Sequence, residues 1–217
     1  MYVKQFVSQV RLIIGLVAVS AFASDPSLEG LLKGVEARYN RAKTLQVLFQ
    51  EDYTRAGEGH RPTESGILML RKPGRMRWAY TQPKGKLWVS DNKSLWLWLP
   101  DENRAEQMKL QESDDMRAPL AFLLGKLYFD KEFRNLRANV EGLDTRIKGE
   151  PKTDTLPYSE VQFLVAPDYH IREVKVTGFD KSILEFRFEQ ERLDPKLDDK
   201  LFQFQVPKGA ELIREGQ

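Results

Sequence analysis

The sequence predicts a mainly β protein with a few helices, built as one antiparallel sheet of many strands. Three observations carry this. Apolar and polar residues alternate with period two in one segment after another, turn residues punctuate those segments, and helical spacing is confined to two stretches.

Residues 1–23 read differently from the rest. Lys4 and Arg11 supply positive charge, Leu12 to Phe22 is almost unbroken apolar sequence, and Ala21-Phe22-Ala23 is the small-x-small pattern that a signal peptidase cleaves. The run is short for a bilayer span, so it reads as a secretory signal peptide ahead of a single domain over 24–217. That leader holds two of the 34 basic residues and none of the 32 acidic ones, which leaves 194 residues of balanced charge. A neutral chain lacks the footprint for nucleic acid or for an anionic lipid surface. Cysteine is absent, so an exported chain must rely on its core, and it has no thiol on which to carry a lipid of its own.

Asp25 and Pro26 suit an N-cap and first helical position, and Leu28, Leu31, Leu32, Val35 and Tyr39 follow at helical spacing, which predicts an amphipathic helix over 26–42. Period two then takes over. Val47, Phe49, Glu51 and Tyr53 alternate with Leu48, Gln50 and Asp52 in a first strand. A second runs from Gly66 to Lys72, and Pro73-Gly74 turns the chain into a third with Met76, Trp78 and Tyr80 on one face and Arg75 and Arg77 on the other. Lys86–Ser90 and Ser94–Pro100 form a hairpin across Asp91-Asn92-Lys93, and Arg104–Leu110 adds a further strand. Asp114 and Asp115 precede a short apolar helix, Pro119 to Gly125, with a glycine stop. Residues 130–155 are charged and carry no clear period. Strands resume at Tyr158–Val165, Ile171–Thr177, Ile183–Gln190 and Leu201–Val206.

One strand breaks the half-wet pattern. Leu95-Trp96-Leu97-Trp98-Leu99 is apolar on both faces, as in a fully buried strand or one whose second face meets an apolar ligand. With 12 Phe, 7 Tyr, 4 Trp and 5 Met, the chain has material either for an ordinary core or for the lining of a cavity that accepts flexible chains. Signals for catalysis are sparse: His60 and His170 have no metal-ligand spacing, and no cysteine nucleophile, Gly-x-Ser-x-Gly elbow or phosphate-binding glycine loop occurs. No cofactor is expected, and the chain reads as a non-enzyme.

The stretch Gly66 to Trp78, then Tyr80, Pro83 and Val89 to Trp96, resembles the outer-membrane lipoprotein carrier protein family (LolA), as do Pro119 to Gly125 and Leu201 to Ile213. The resemblance implies an unclosed, strongly curved antiparallel β-barrel with a helical lid over an apolar cavity. It also implies a soluble, monomeric periplasmic carrier of acylated lipoproteins, loaded by an inner-membrane ATP-driven releasing complex and unloaded to an outer-membrane acceptor lipoprotein. On this reading Phe49, Met69, Met76, Trp78, Trp96, Trp98, Phe122 and Phe186 contact lipid, with Met76 near the cavity mouth. Many members have an arginine just before the block's proline that ties the lid to the barrel. Lys72 stands there, with Arg71 directed to the other face. Other readings of the scaffold stay open: an exported lipid- or glycolipid-binding protein, or an envelope-stress sensing domain.

Overall fold

A computed structural model describes residues 27–109, 126–153 and 156–214. The expected leader and the Pro119–Gly125 helix lie outside the described residues. The described chain opens with helix α1 (Leu28–Arg41), capped by Ser27, whose Oγ accepts from the Gly30 amide at 3.2 Å. The cap is therefore Ser27 and not Asp25. Leu31, Val35 and Tyr39 form the buried stripe, as their spacing requires.

Among the described residues, thirteen strands make one curved, unclosed sheet. The N-terminal meander comprises β1 (Thr44–Arg55), β3 (Glu64–Arg71), β4 (Arg75–Gln82), β5 (Leu87–Asp91), β6 (Ser94–Leu99) and β7 (Arg104–Lys109), with the two-residue β2 (Gly59–His60) on β1. The C-terminal meander comprises β8 (Phe133–Glu141), β9 (Asp144–Pro151), β10 (Tyr158–Val165), β11 (Ile171–Gly178) and β12 (Ile183–Leu193), preceded by the one-turn α2 (Phe129–Glu132). β1 is the joint, pairing with β3 on one side and β12 on the other. All these ladders are antiparallel; β13 (Glu211–Arg214) pairs parallel, on β7, and so forms one free edge while β8 forms the other.

Two regions differ from the sequence reading. Residues 130–155 hold the β8–β9 hairpin, turning at Gly142 in the left-handed region (φ 66°). Its outer strand is exposed on both faces along most of its length, so no alternation marks it, and Arg134, Arg137 and Asn139 suit an unpaired edge. Leu201–Val206 is not a strand. A 3-10 turn (Asp199–Phe202) leads into extended chain without a ladder, lying across the outer face of β3–β6. Here arginine side chains satisfy the backbone instead: Arg77 Nη1 donates to the Leu201 carbonyl at 3.1 Å and Arg71 to that of Leu197. The alternation read there is real, with Phe202 buried and Gln203 exposed, but it packs on a sheet and does not extend one.

Candidate apolar binding interior

Strand parity decides what the interior contains. In register across the sheet, Val47, Leu68, Trp78, Trp88 and Leu97 stand opposite one another, and all five are buried. One step along, Phe49, Gly66 and Tyr80 line up. Gly66 has no side chain, and a Cβ there would collide with the Ala79 carbonyl. The Phe49 and Tyr80 rings therefore meet across it at 5.0 Å, edge to face. Phe49 also meets Trp78 at 4.7 Å, and Trp78 meets Phe186 of β12 at 5.2 Å. A second aromatic group, Phe129, Phe133 and Phe163, fills the C-terminal meander at 5.3–6.1 Å.

Four of the expected lining residues thus share the inner face: Phe49, Trp78 and Phe186 in ring contact, and Met76 half-buried against the same core. Three do not, and their placement is corrected. Met69 stands opposite Arg77 and alternates with the buried Leu68 and Leu70, so it faces outward. Trp96 and Trp98 also face outward, because Leu95 and Leu97 of the same strand take the interior. The Trp96 ring packs at 5.4 Å on Phe204, so the second apolar face of β6 is met by the chain's own C-terminal segment. Phe122 lies outside the described residues. Tyr80, Leu68 and Trp88 were missed as lining residues; Tyr80 was legible, sharing the Met76 and Trp78 alternation.

α1 covers the inner face, and its polar ties sit at one end. Tyr39 Oη donates to Glu191 Oε2 at 2.6 Å and accepts from the Ile171 amide at 2.8 Å. Arg38 donates twice to Glu191 Oε1, at 2.7 and 3.0 Å. Asn40 exchanges two hydrogen bonds with the Leu127 peptide, each 2.7 Å, and Glu36 accepts from the Phe129 amide at 2.8 Å. Lys72 Nζ donates to the Tyr39 carbonyl at 2.8 Å, a single bond from this position to α1 where an arginine would offer a guanidinium fork. Arg71 points outward as expected and engages Asp199. Among the described residues, α1 up to Val35 makes side-chain polar contacts only within itself, at Ser27–Gly30 and Glu29–Lys33.

Burial sets the local titration. It holds the Lys72 ammonium below the ordinary lysine value, and the charge of Lys126 adds to this. It pushes the Tyr39 hydroxyl well above its ordinary value, with the Glu191 charge adding. Two cavities lie between α1 and the sheet, each about 10 Å³: one beside Lys72 and Leu70, the other beside Phe188 and Val174. Each holds about one water-sized sphere. Neither has room for a hydrocarbon chain.

Among the described residues no three metal-ligating side chains come together, and no helix is long and apolar enough to cross a membrane. The outer membrane lipoprotein carrier protein family model, LolA, matches residues 40–205. An outer-membrane lipoprotein carrier protein of Nitrosomonas europaea is 24% identical, over 94% of this chain and 99% of its own. Another, of Chromobacterium violaceum, is 26% identical over 90% and 93%. The fold is similar to that of an uncharacterized conserved protein from Thermus thermophilus, with a TM-score of 0.51, 13% identity and coverage of 87% of this chain and 99% of that one. The family match takes in both meanders and the β1 joint between them, and the chain accordingly belongs to the outer membrane lipoprotein carrier protein family, LolA.

Proposed function

We propose that the chain is a soluble periplasmic carrier that shelters lipoprotein acyl chains between the inner face of the half-barrel and α1. It takes cargo from an ATP-driven releasing complex in the inner membrane and passes it to an acceptor lipoprotein in the outer membrane. The names of its relatives and the leader-like N-terminus support this assignment. The observation that carries it is an aromatic wall, Phe49–Trp78–Phe186, in one buried cluster with the apolar stripe of α1, whose polar ties among the described residues gather at one end.

The energetics favour exchange of cover for cargo. Undocking α1 exposes Leu31, Val35 and Tyr39, at about 1.5–3 kcal/mol each, and breaks ties of roughly 1 kcal/mol each. Burying a methylene is worth about 0.8 kcal/mol, so two chains of about sixteen carbons gain on the order of 20 kcal/mol. Cargo therefore displaces the helix, and the helix competes for its old place when an acceptor offers the chains a comparable surface. No fuel is consumed by the carrier itself, because the exchange is a population shift between two covers of one surface. No bond is made or broken, so the carrier acts without catalysis.

Native mass spectrometry of the protein isolated from periplasm tests this. Acylated protein bound one to one supports the carrier; free lipid alone, or an empty chain that takes nothing from lipoprotein-loaded membranes in a reconstituted release assay, refutes it.

A further inference from the structure

Two residues in contact each break the rule of their own element. Gly34 lies in the interior of α1, where glycine is a poor helix former. Tyr169 lies in the β10–β11 turn, closed by the Tyr169 amide on the Ala166 carbonyl at 2.8 Å and the Ala166 amide on the His170 carbonyl at 2.9 Å. It adopts the left-handed region, φ 68°. A hairpin loop of this length favours glycine at that place, and a bulky side chain there is an outlier. The two meet in space: a Cβ at Gly34 would collide with the Tyr169 ring.

Neither choice helps the element that carries it, since alanine makes the better helix and glycine or asparagine the better turn. Together they make one joint, because a helix residue without a side chain lets the ring lie against the backbone. Local rules broken on both sides of one contact point to a role beyond either element. The joint also sits where the hold on α1 changes. Four residues on, and so on the same face, Arg38 Nη1 donates to the Asp168 carbonyl of that turn at 3.3 Å and Nη2 to Glu191 at 2.7 Å. His170 pairs with the Asp168 carboxylate and braces the turn. Before Gly34, among the described residues, the side-chain polar contacts of the helix stay within it. Tyr169 itself packs, half-buried, on the cluster that holds Leu31 and Val35.

We propose that Tyr169 is a positioning residue for cargo exchange: seated on Gly34, it is the stop at which the lifting part of α1 ends, and it sets the rate of acyl-chain uptake. This rests on the carrier reading above, in which α1 yields its place to cargo. The ring holds by apolar contact alone, which has no direction, so the helix leaves the seat and returns to it without rearranging a hydrogen bond.

The test follows uptake of a fluorescent fatty acid by the full chain, with amide exchange over residues 30–35 and denaturant unfolding beside it. Gly34→Ala displaces the ring, and Tyr169→Asn removes it while suiting the turn. Each is expected to speed uptake per folded molecule, and exchange, by about three- to tenfold, the scale of one aromatic contact. The double variant should be no faster than the faster single, and Tyr169→Phe, which keeps the ring, should stay within about twofold of the unaltered chain. Effects that multiply in the double variant overturn the proposal, because the residues then act independently. So does Tyr169→Phe as fast as Tyr169→Asn, or a lowered unfolding midpoint with uptake and exchange unchanged, the mark of a purely structural contact. An unaltered chain that takes up no fatty acid counts against the carrier reading instead, and amide exchange then still reads the joint.

Discussion

At β5–β6 both faces of the sheet are apolar, and the outer and inner faces are covered in opposite ways. Outside, residues 197–204 lie over Trp96 and Arg77, fastened by Arg71 and Arg75 to Asp199 and by Arg71 and Arg77 to backbone carbonyls. Phe202 is 1% exposed beneath the Arg71 guanidinium, 5.6 Å from ring centre to charge. Inside, α1 adds three apolar side chains to the same buried cluster as the aromatic wall, and among the described residues its polar ties gather at its C-terminal end. A cover pinned by several arginines along its length is permanent. One pinned at an end can lift. On the proposed carrier reading, that difference separates an apolar surface that serves the fold from one open to cargo, although composition makes the two look alike.

Paired truncations break or sharpen that contrast most strongly. Trp78→Ala and Phe202→Ala should each cost about 3–5 kcal/mol in denaturant unfolding. Only the first should lose acyl-chain binding per folded molecule; equal loss in both would erase the distinction between the covers. A smaller effect is expected at the hinge. Glu191→Gln weakens the Arg38 pair and should cost about 1–3 kcal/mol. It should speed amide exchange over residues 36–41 and accelerate uptake, and unaltered exchange there would remove Glu191 from the latch.

Lys72 should matter less still. Lys72→Met loses the bond to the Tyr39 carbonyl but also relieves a half-buried charge already disfavoured by burial and Lys126, so unfolding should change by no more than about 1 kcal/mol. Lys72→Arg, with more donors, should slow release more than uptake in the reconstituted assay; equal effects would show that the residue does not hold the helix. The mildest test is alkaline. Burial pushes the Tyr158 hydroxyl up to about 12, with the Glu132 charge adding. A raised folded value means its stabilisation is complete below the ordinary value of 10.0 and lost as pH climbs towards 12. Melting temperature should fall across that window, and less steeply in Tyr158→Phe.

Most strands were legible because period two survives wherever one face is wet. β12 is the plainest case, with Leu184 and Phe186 buried and Arg187 exposed. The lining was half legible for the same reason. Alternation placed Met76, Trp78 and Tyr80 together, but it could not assign Trp96 and Trp98, since both faces of β6 are apolar and parity alone does not name the concave side. Met69 failed differently. Its neighbours on both faces are apolar, and only the pairing with Arg77 shows which way it points. The β8–β9 hairpin was hidden because a solvated edge strand buries too little to leave a pattern.

By itself, then, the sequence determined the class of fold, the strand segments and the stripe on α1, because these follow from spacing along the chain and from turn chemistry at Pro73-Gly74 and Asp91-Asn92. The tertiary structure decided which face became the interior, and that Gly66 lets Phe49 and Tyr80 touch. It also decided that Leu201–Val206 straps the sheet and does not join it, and that, among the described residues, the polar ties of α1 gather at one end. Those outcomes depend on register and curvature, which bring together residues more than a hundred positions apart, and no local period encodes such meetings.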